Sequence, residues 1–439
     1  MPRDRVLLIS YLFPPSGGVG VPRAVSYARY LPLHHCEVFV LTARYPATPL
    51  YDYDLLKTVP PETKVIRAFN PEIPYGIRDR FWKRVIAGEQ EPDRARAASG
   101  GGVKSIVKRT IQRAFCPDVQ VVWTPFAIRA ARRIVERHKI TTVLVNLPPF
   151  SCLKIAVAVK RRFPGVKLIL EFRDEWIENY FAQYDTAATD YKLALARKLE
   201  RDSVECADFV NAVTRAQLAQ IRRRYPEQPD RKFLYAPNGY DPTVYANLQS
   251  RAAPGGKMVV THFGTVYANA TARPIVNYLD AVDGLPDQIR SRVETWLIGR
   301  VSREAAAFVE SRRHSVRQFG FMSKEAARPY LEETSYNLIV SGNPTTHGGK
   351  LFDYLGTGKP ILALCPVDGE MAQIIRETRT GWCVNPDDLA AIRQLLISSF
   401  DRLEHAATDW NPDQEAIRQY EWPNLVARLV GLTGMGSGQ

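Results

Sequence analysis

Lys350 and Asp353 stand three residues apart in Gly348-Gly349-Lys350-Leu351-Phe352-Asp353, between a polar loop and the break Gly356-Thr357-Gly358. That spacing puts a cation and a carboxylate on one face of a helix. A helix that opens on glycines presents free backbone N–H groups at its positive end, which suits an anion such as a phosphate. Lys350 in the first turn opposes the helix dipole, an unfavourable placement that makes sense if an anion sits there. Asp353, one turn later, can accept hydrogen bonds from a pair of sugar hydroxyls. Read without a ligand, the same residues form an ordinary strand–loop–helix corner with a lysine–aspartate pair.

The elements that would position this corner are an apolar strand over 336–340, the loop from Ser341, a short helix opening near Gly348 and a strand over 360–364. The first half of the chain has a comparable unit. A strand over 6–11 leads into Phe13-Pro14-Pro15-Ser16-Gly17-Gly18-Val19-Gly20, and a helix follows over 22–31. Glycines there let the backbone approach a ligand, and strand, glycine turn and helix is the arrangement of nucleotide-binding α/β units. It is not a dinucleotide fingerprint, since Arg23 stands where the third glycine would be. Nor is the later corner a P-loop, since Leu351 follows Gly349-Lys350.

Between these units strands and helices alternate: strands over 36–42, 64–68, 141–146, 166–172 and 209–213, helices over 130–138, 151–163, 191–207 and 216–224. The pattern restarts with strands over 258–263, 293–298 and 381–384, a helix over 385–402 and a final helix over 414–432. Such alternation predicts parallel sheets with helices on both faces, and ligands gather at the carboxyl ends of their strands. Those ends carry Asn146-Leu-Pro-Pro-Phe-Ser151, Glu171-Phe-Arg173-Asp174-Glu-Trp176, Gly264-Thr265 and Gly299-Arg300. Arg300 can fork onto phosphate oxygens, and Arg273 is a second cation shortly after Gly264.

At 439 residues the chain exceeds what one core usually supports, so two domains are expected. The 45% hydrophobic and 24% charged content is that of an ordinary soluble protein. A net charge of +13 favours polyanionic surroundings: acidic membrane, nucleic acid or phosphorylated substrates. Six cysteines without Cys-x-x-Cys spacing read as reduced thiols of a cytoplasmic protein. The first apolar run ends at Pro14-Pro15, which makes it a buried strand more readily than a signal peptide, and no apolar stretch approaches the roughly 20 residues that span a bilayer. Asp52-Tyr-Asp54 is an Asp-x-Asp pair, but nothing around it supplies the other oxygen ligands of a hard cation, so no metal is expected. Residues 103–115 place apolar side chains on one helical stripe and Lys104, Lys108, Arg109 and Arg113 elsewhere, a pattern suited to an anionic membrane surface or to a solvated face of the domain. No nucleic-acid module or aromatic–basic platform accompanies the charge, so a nucleic-acid partner is not expected.

Gly349-Lys-Leu-Phe-Asp-Tyr-Leu-Gly-Thr-Gly-Lys-Pro-Ile-Leu resembles the nucleotide-sugar corner of family 4 glycosyltransferases of the GT-B fold, whose commoner form has Glu where this chain has Asp353. Phe13-Pro-Pro-Ser-Gly-Gly, Asn146-Leu-Pro-Pro-Phe-Ser, Glu171-Phe-Arg-Asp-Glu-Trp and Pro237-Asn-Gly-Tyr-Asp241 resemble further segments of that group. The resemblance spans nearly the whole chain and is weakest between 70 and 120. It implies an α/β GT-B architecture: two Rossmann-like domains whose parallel sheets face across a cleft, with the C-terminal helix returning to the first domain. The corresponding boundaries are an acceptor-side domain over 1–242, a nucleotide-sugar-binding domain over 243–413 and the returning segment over 414–439, with 252–256 as the linker by composition.

The resemblance further implies a retaining, metal-independent glycosyltransferase of polysaccharide biosynthesis. Its partners would be a nucleotide-diphosphate sugar as co-substrate, with no other cofactor, and a glycan, lipid-linked or small-molecule acceptor. In this reading Arg173 and Asp174 face the cleft near the reacting carbon, while Lys350 and Arg273 stabilise the leaving diphosphate. Gly17, Gly18, Gly264, Thr265, Arg300, Met322, Gly348, Gly349, Leu351 and Asp353 bind the donor, with the segment around Met322 seating the base. The protein is expected in the cytoplasm, with the basic helix docking on the membrane face. The family often has a cleft His that this chain lacks, which keeps a catalytically silent nucleotide-sugar-binding subunit as an alternative beside a sugar-nucleotide epimerase of the same fold. Base, sugar, acceptor and oligomeric state stay open.

Overall fold

Apolar runs with little alternation, such as Val6-Leu7-Leu8-Ile9, suit strands covered on both faces, and these four residues are fully buried. The computed structural model describes residues 3–18, 20–46, 48, 50–71, 116–178, 190–267, 271–312, 315–405 and 410–436. The basic segment 103–115 lies outside the described residues.

The described chain divides into two units, Met1–Ala236 with Val426–Gln439 and Pro237–Leu425. The first is built on a seven-stranded sheet: β1 Asp4–Ile9, β2 Cys36–Ala43, β3 Lys64–Ala68, β4 Thr142–Leu147, β5 Lys167–Phe172, β6 Phe209–Ala212 and β7 Phe233–Tyr235, in the order β3-β2-β1-β4-β5-β6-β7. All pairs are parallel. The second is built on a six-stranded parallel sheet: β8 Met258–Phe263, β9 Val293–Ile298, β10 Val316–Gly320, β11 Tyr336–Val340, β12 Ile361–Leu364 and β13 Gly381–Val384, in the order β10-β9-β8-β11-β12-β13. Both sheets are wound outward from their first strand, which leaves a reversal of strand order between β1 and β4 and again between β8 and β11. In open α/β sheets the crevice at such a reversal is where a ligand has room to enter.

Three expectations need correction. The segment 252–256, taken as a linker, lies inside the second unit. The final helix is two helices, Gln414–Arg418 and Trp422–Thr433, broken before Pro423, which suits a first turn because it has no N–H to leave unpaired. Its end belongs with the first unit: Lys167 Nζ donates to Thr433 O at 2.6 Å, and Arg428 donates to Tyr235 O at 3.2 Å. The helix expected over 130–138 begins earlier, at Thr124–His138, again with proline in its first turn. Asp52 and Asp54 have structural tasks. Asp52 caps helix Tyr53–Lys57 by accepting from Leu55 N at 2.9 Å, and Asp54 pairs with Lys57 at 2.7 Å. Among the described residues no group of three or more His, Cys, Asp or Glu is placed to hold a metal ion, and no helix is long and apolar enough to cross a membrane.

Candidate functional site

In the second unit the reversal between β8 and β11 is where Lys350 lies. Helix Lys350–Thr357 follows the loop after β11, has Gly349 at its N-cap with no side-chain cap, and so keeps its first N–H groups free of an intramolecular acceptor side chain. Tyr354 fixes this helix to both strands: its hydroxyl donates to Leu338 O at 3.2 Å and accepts from Phe263 N at 2.8 Å. The side chains of Leu351 and Phe352 are fully buried behind it, so Leu351 can offer a ligand only its backbone N–H.

Lys350 runs back across Gly264, the residue that follows β8. A β-carbon on Gly264 would lie 1.9 Å from Lys350 Cε, and its φ of 147° lies where side chains are rarely tolerated, so only glycine fits. The ammonium donates to Thr265 O at 3.1 Å and to Nε2 of His262 at 3.4 Å, leaving one of its three N–H groups. His262 is buried within β8, and its Nδ1 lies 3.0 Å from Leu338 O of β11. With Nδ1–H donating to that carbonyl, Nε2 carries the lone pair that faces Lys350. Burial, helped by Lys350, lowers the imidazole to about 3, so it stays neutral in this role. Burial also lowers Lys350 to about 8, with Asp353 pulling the other way. An ammonium that stays charged at neutral pH but is solvated only by neutral acceptors is poised to take an anion.

Asp353 is not paired with Lys350. Its Oδ1 accepts from Tyr245 Oη at 2.8 Å and from Lys324 Nζ at 2.5 Å, and neither donor was foreseen as part of the site. Lys324 opens helix Lys324–Glu333 behind its cap Ser323, after β10. Arg300, at the carboxyl end of β9, is exposed and lies over the exposed ring of Phe321 at 5.6 Å. Met322 is half-buried against Ile298, Ala327 and Leu331. Arg273, in helix Ala272–Asp283, is turned to the surface, 79% exposed, and pairs with Asp387 at 3.1 Å. The structure thus brings Gly264, Thr265, Gly349, Lys350 and the backbone of Leu351 together, and gives Arg273 a different partner.

In the first unit the glycine-rich turn follows β1 at the other reversal. Gly17 N donates to Leu50 O at 2.9 Å, and a β-carbon on Gly17 would press on Leu50 and Asp52 at 3.0 and 3.1 Å. Gly18 has φ 101°. Arg173, just beyond β5, uses its guanidinium on three carbonyls: Leu147 O at 3.0 Å, Pro148 O at 3.2 Å and Gly20 O. It ties the β1, β4 and β5 loops together, a structural task that engages its donors on backbone. Asp174 beside it keeps its side chain exposed, yet the surrounding protein displaces enough water to raise its pKa, against the pull of Arg173.

Beneath these loops Asn146, Glu171 and Asn211 stand in register on β4, β5 and β6, all buried. Arg23 donates to Glu171 Oε1 at 2.7 Å, and Tyr27 donates to the same oxygen. Both come from helix Pro22–Tyr30, which is thereby pinned directly behind the glycine-rich turn.

No protein-family profile matches the sequence, and no curated protein matches it. Solved structures do. Sucrose-phosphate synthase from Thermosynechococcus elongatus superposes with a TM-score of 0.66 at 14% identity, covering 98% of each chain. A glycosyltransferase from Rickettsia africae gives 0.62 at 13%, covering 100% of this chain and 99% of the other. Anabaena HepE in complex with UDP gives 0.58 at 13%, covering 98% and 99%. With two parallel sheets of seven and six strands, the fold is GT-B.

Proposed function

We propose that this GT-B chain is a glycosyltransferase that takes a sugar from a nucleotide-diphosphate donor and transfers it to a glycan, lipid-linked or small-molecule acceptor with retained anomeric configuration. The observation that carries the reading is the placement of Lys350: a cation lowered to about 8, seated over Gly264 at the reversal of the second sheet and beside an uncapped helix N-terminus. Diphosphate oxygens would take the third N–H of Lys350 and the free N–H groups of residues 349–351. Charge that develops on the leaving diphosphate would be stabilised there without reorganisation and without a metal. Asp353, one turn on, would exchange Lys324 or Tyr245 for ribose hydroxyls, and Arg300 is the remaining cation for the phosphates.

HepE was solved with UDP, so uridine is the first base to test. Titration calorimetry with UDP, GDP, ADP and dTDP, followed by product analysis with the sugar nucleotide of the base that binds, tests both halves of the proposal. Failure of all four diphosphates to bind overturns it. The commitment of Arg173 to three backbone carbonyls favours a second reading, nucleotide-sugar binding without turnover, because it removes that residue from the reacting groups. Diphosphate binding with no transfer to any acceptor or to water would select it.

A further inference from the structure

A second cationic recess lies at the opposite end of the first sheet from the glycine-rich turn. It has a volume of about 520 Å³ and is lined by Lys160 from the last turn of helix Cys152–Arg162 and by residues at or just before the starts of β5, β6 and β7, among them Lys167, Asp208, Arg231 and Lys232. Four basic side chains therefore face one carboxylate. Asp208 is itself engaged, with Oδ2 accepting from Lys160 Nζ at 2.8 Å and from Leu168 N at 2.6 Å.

The three ammonium groups are held mainly by neutral acceptors. Lys160 also donates to Val166 O at 2.8 Å, and Lys167 donates to Thr433 O at 2.6 Å and Gly434 O at 3.2 Å. Lys232 donates to Glu205 O at 3.2 Å and Gln228 Oε1 at 2.8 Å while only 6% exposed. Each ammonium keeps one N–H, and the exposed guanidinium of Arg231 has no partner among the described residues. Three ammonium groups gathered around one carboxylate and held otherwise by neutral acceptors carry an excess of positive charge that an anion would offset. Burial lowers Lys232 below the usual lysine range, against the pull of Cys206, Asp208 and Glu205, and Lys160 adds a little to the lowering. Pro164, Phe209 and Pro229 supply an apolar wall beside the charges.

We propose that this recess is an anion-binding site for a phosphomonoester, remote from the sugar-nucleotide corner and independent of the function proposed above. Lys160, Lys167, Lys232 and Arg231 would converge on the phosphate oxygens, and the apolar wall would receive the carbon skeleton. Because two of the carbonyls that hold Lys167 belong to residues 433 and 434, occupancy would also tie the end of the chain to β5.

The test uses the full-length protein carrying Lys350→Met, so that the other phosphate-seeking lysine does not contribute. Calorimetry at low ionic strength with inorganic phosphate and glycerol 3-phosphate measures a soluble source, and flotation with phosphatidylcholine vesicles containing phosphatidic acid measures a lipid headgroup. Saturable binding in either arm that weakens at least tenfold in Arg231→Gln supports the site and names its source. Arg231 is exposed and has no partner among the described residues, so this variant keeps the fold. Absence of binding in both arms, or binding unchanged by Arg231→Gln, overturns the proposal.

Discussion

Lys324 Nζ donates to Asp353 Oδ1 at 2.5 Å, so the carboxylate expected to hold a ribose is ion-paired in the free protein. The pair is partly exposed, with 40% of the lysine side chain and 20% of the aspartate accessible, and such pairs are worth only about 0–1 kcal/mol. It is weak enough for a ligand to displace.

Lys324→Ala should therefore raise nucleoside affinity by up to about fivefold, the equivalent of that pair, with little change in stability. Calorimetry with the free nucleoside reads this directly. A fall in affinity would mean that Lys324 itself contacts the ligand.

Asp353→Ala should lower nucleoside and nucleotide affinity by tenfold or more, since each hydrogen bond to a charged group is worth about 1.5–3 kcal/mol. Asp353→Glu should keep part of the binding. Lys350→Ala should weaken diphosphates while leaving the nucleoside little affected. Wild-type affinities for all ligands in both alanine variants would remove this corner from donor binding.

The lowered pKa of Lys350 gives a pH dependence with a definite sign. An anion favours the ammonium, so diphosphate affinity should fall as pH rises through about 8, by up to tenfold per unit, while nucleoside affinity stays flat. Stability moves the other way. Between about 8 and the ordinary lysine value the unfolded chain binds the extra proton, so this group makes folding more favourable as pH rises through that window. His262, neutral above about 3, contributes to neither trend. A pH-independent diphosphate affinity between 7 and 9.5 would exclude the role given to Lys350.

Gly264→Ala places a methyl group 1.9 Å from Lys350 Cε at φ 147°. The backbone strain alone is worth about 1–3 kcal/mol, and the lysine must also leave its seat. Thermal unfolding should show the loss, and diphosphate affinity should fall as far as in Lys350→Ala. Full affinity would show that the ammonium reaches the ligand without this path.

Arg173→Gln should destabilise the first unit by at least about 2 kcal/mol, because three carbonyls lose a charged donor. Nucleotide affinity, a property of the second unit, should be unchanged. Wild-type stability with abolished transfer would instead make Arg173 a participant in the chemistry.

Much of this architecture was legible because short segments rich in β-branched and aromatic residues, bounded by polar or glycine-containing loops, read as strands. β3, β8, β9, β11 and β13 fall on the expected residues. The glycine corners were legible too, since strand, Gly and helix in that order leave few conformations. The partners of the charged side chains were not. Arg273 follows Gly264 closely in sequence, but the turn of helix Ala272–Asp283 that carries it faces Asp387. Arg173 sits at a strand end like a ligand-binding residue, and only the folded loops show that Gly20, Leu147 and Pro148 take its donors. His262 could have been noticed as a lone titratable group inside Met258-Val-Val-Thr-His-Phe263. What it faces depends on β11, more than seventy residues away.

Gly436 N donates to Asp4 Oδ2 at 2.5 Å, so residues near the two extremes of the described chain meet on the first unit. That unit is discontinuous, interrupted between Ala236 and Val426, whereas the second is one uninterrupted segment. Synthesis from the amino end therefore delivers every residue of the second unit before the first has all of its own, reversing the order in which their sequences begin. A nascent chain halted at Leu425 should carry a finished second unit and a first still lacking the donor of Arg428 to Tyr235 and the acceptor that Thr433 gives Lys167.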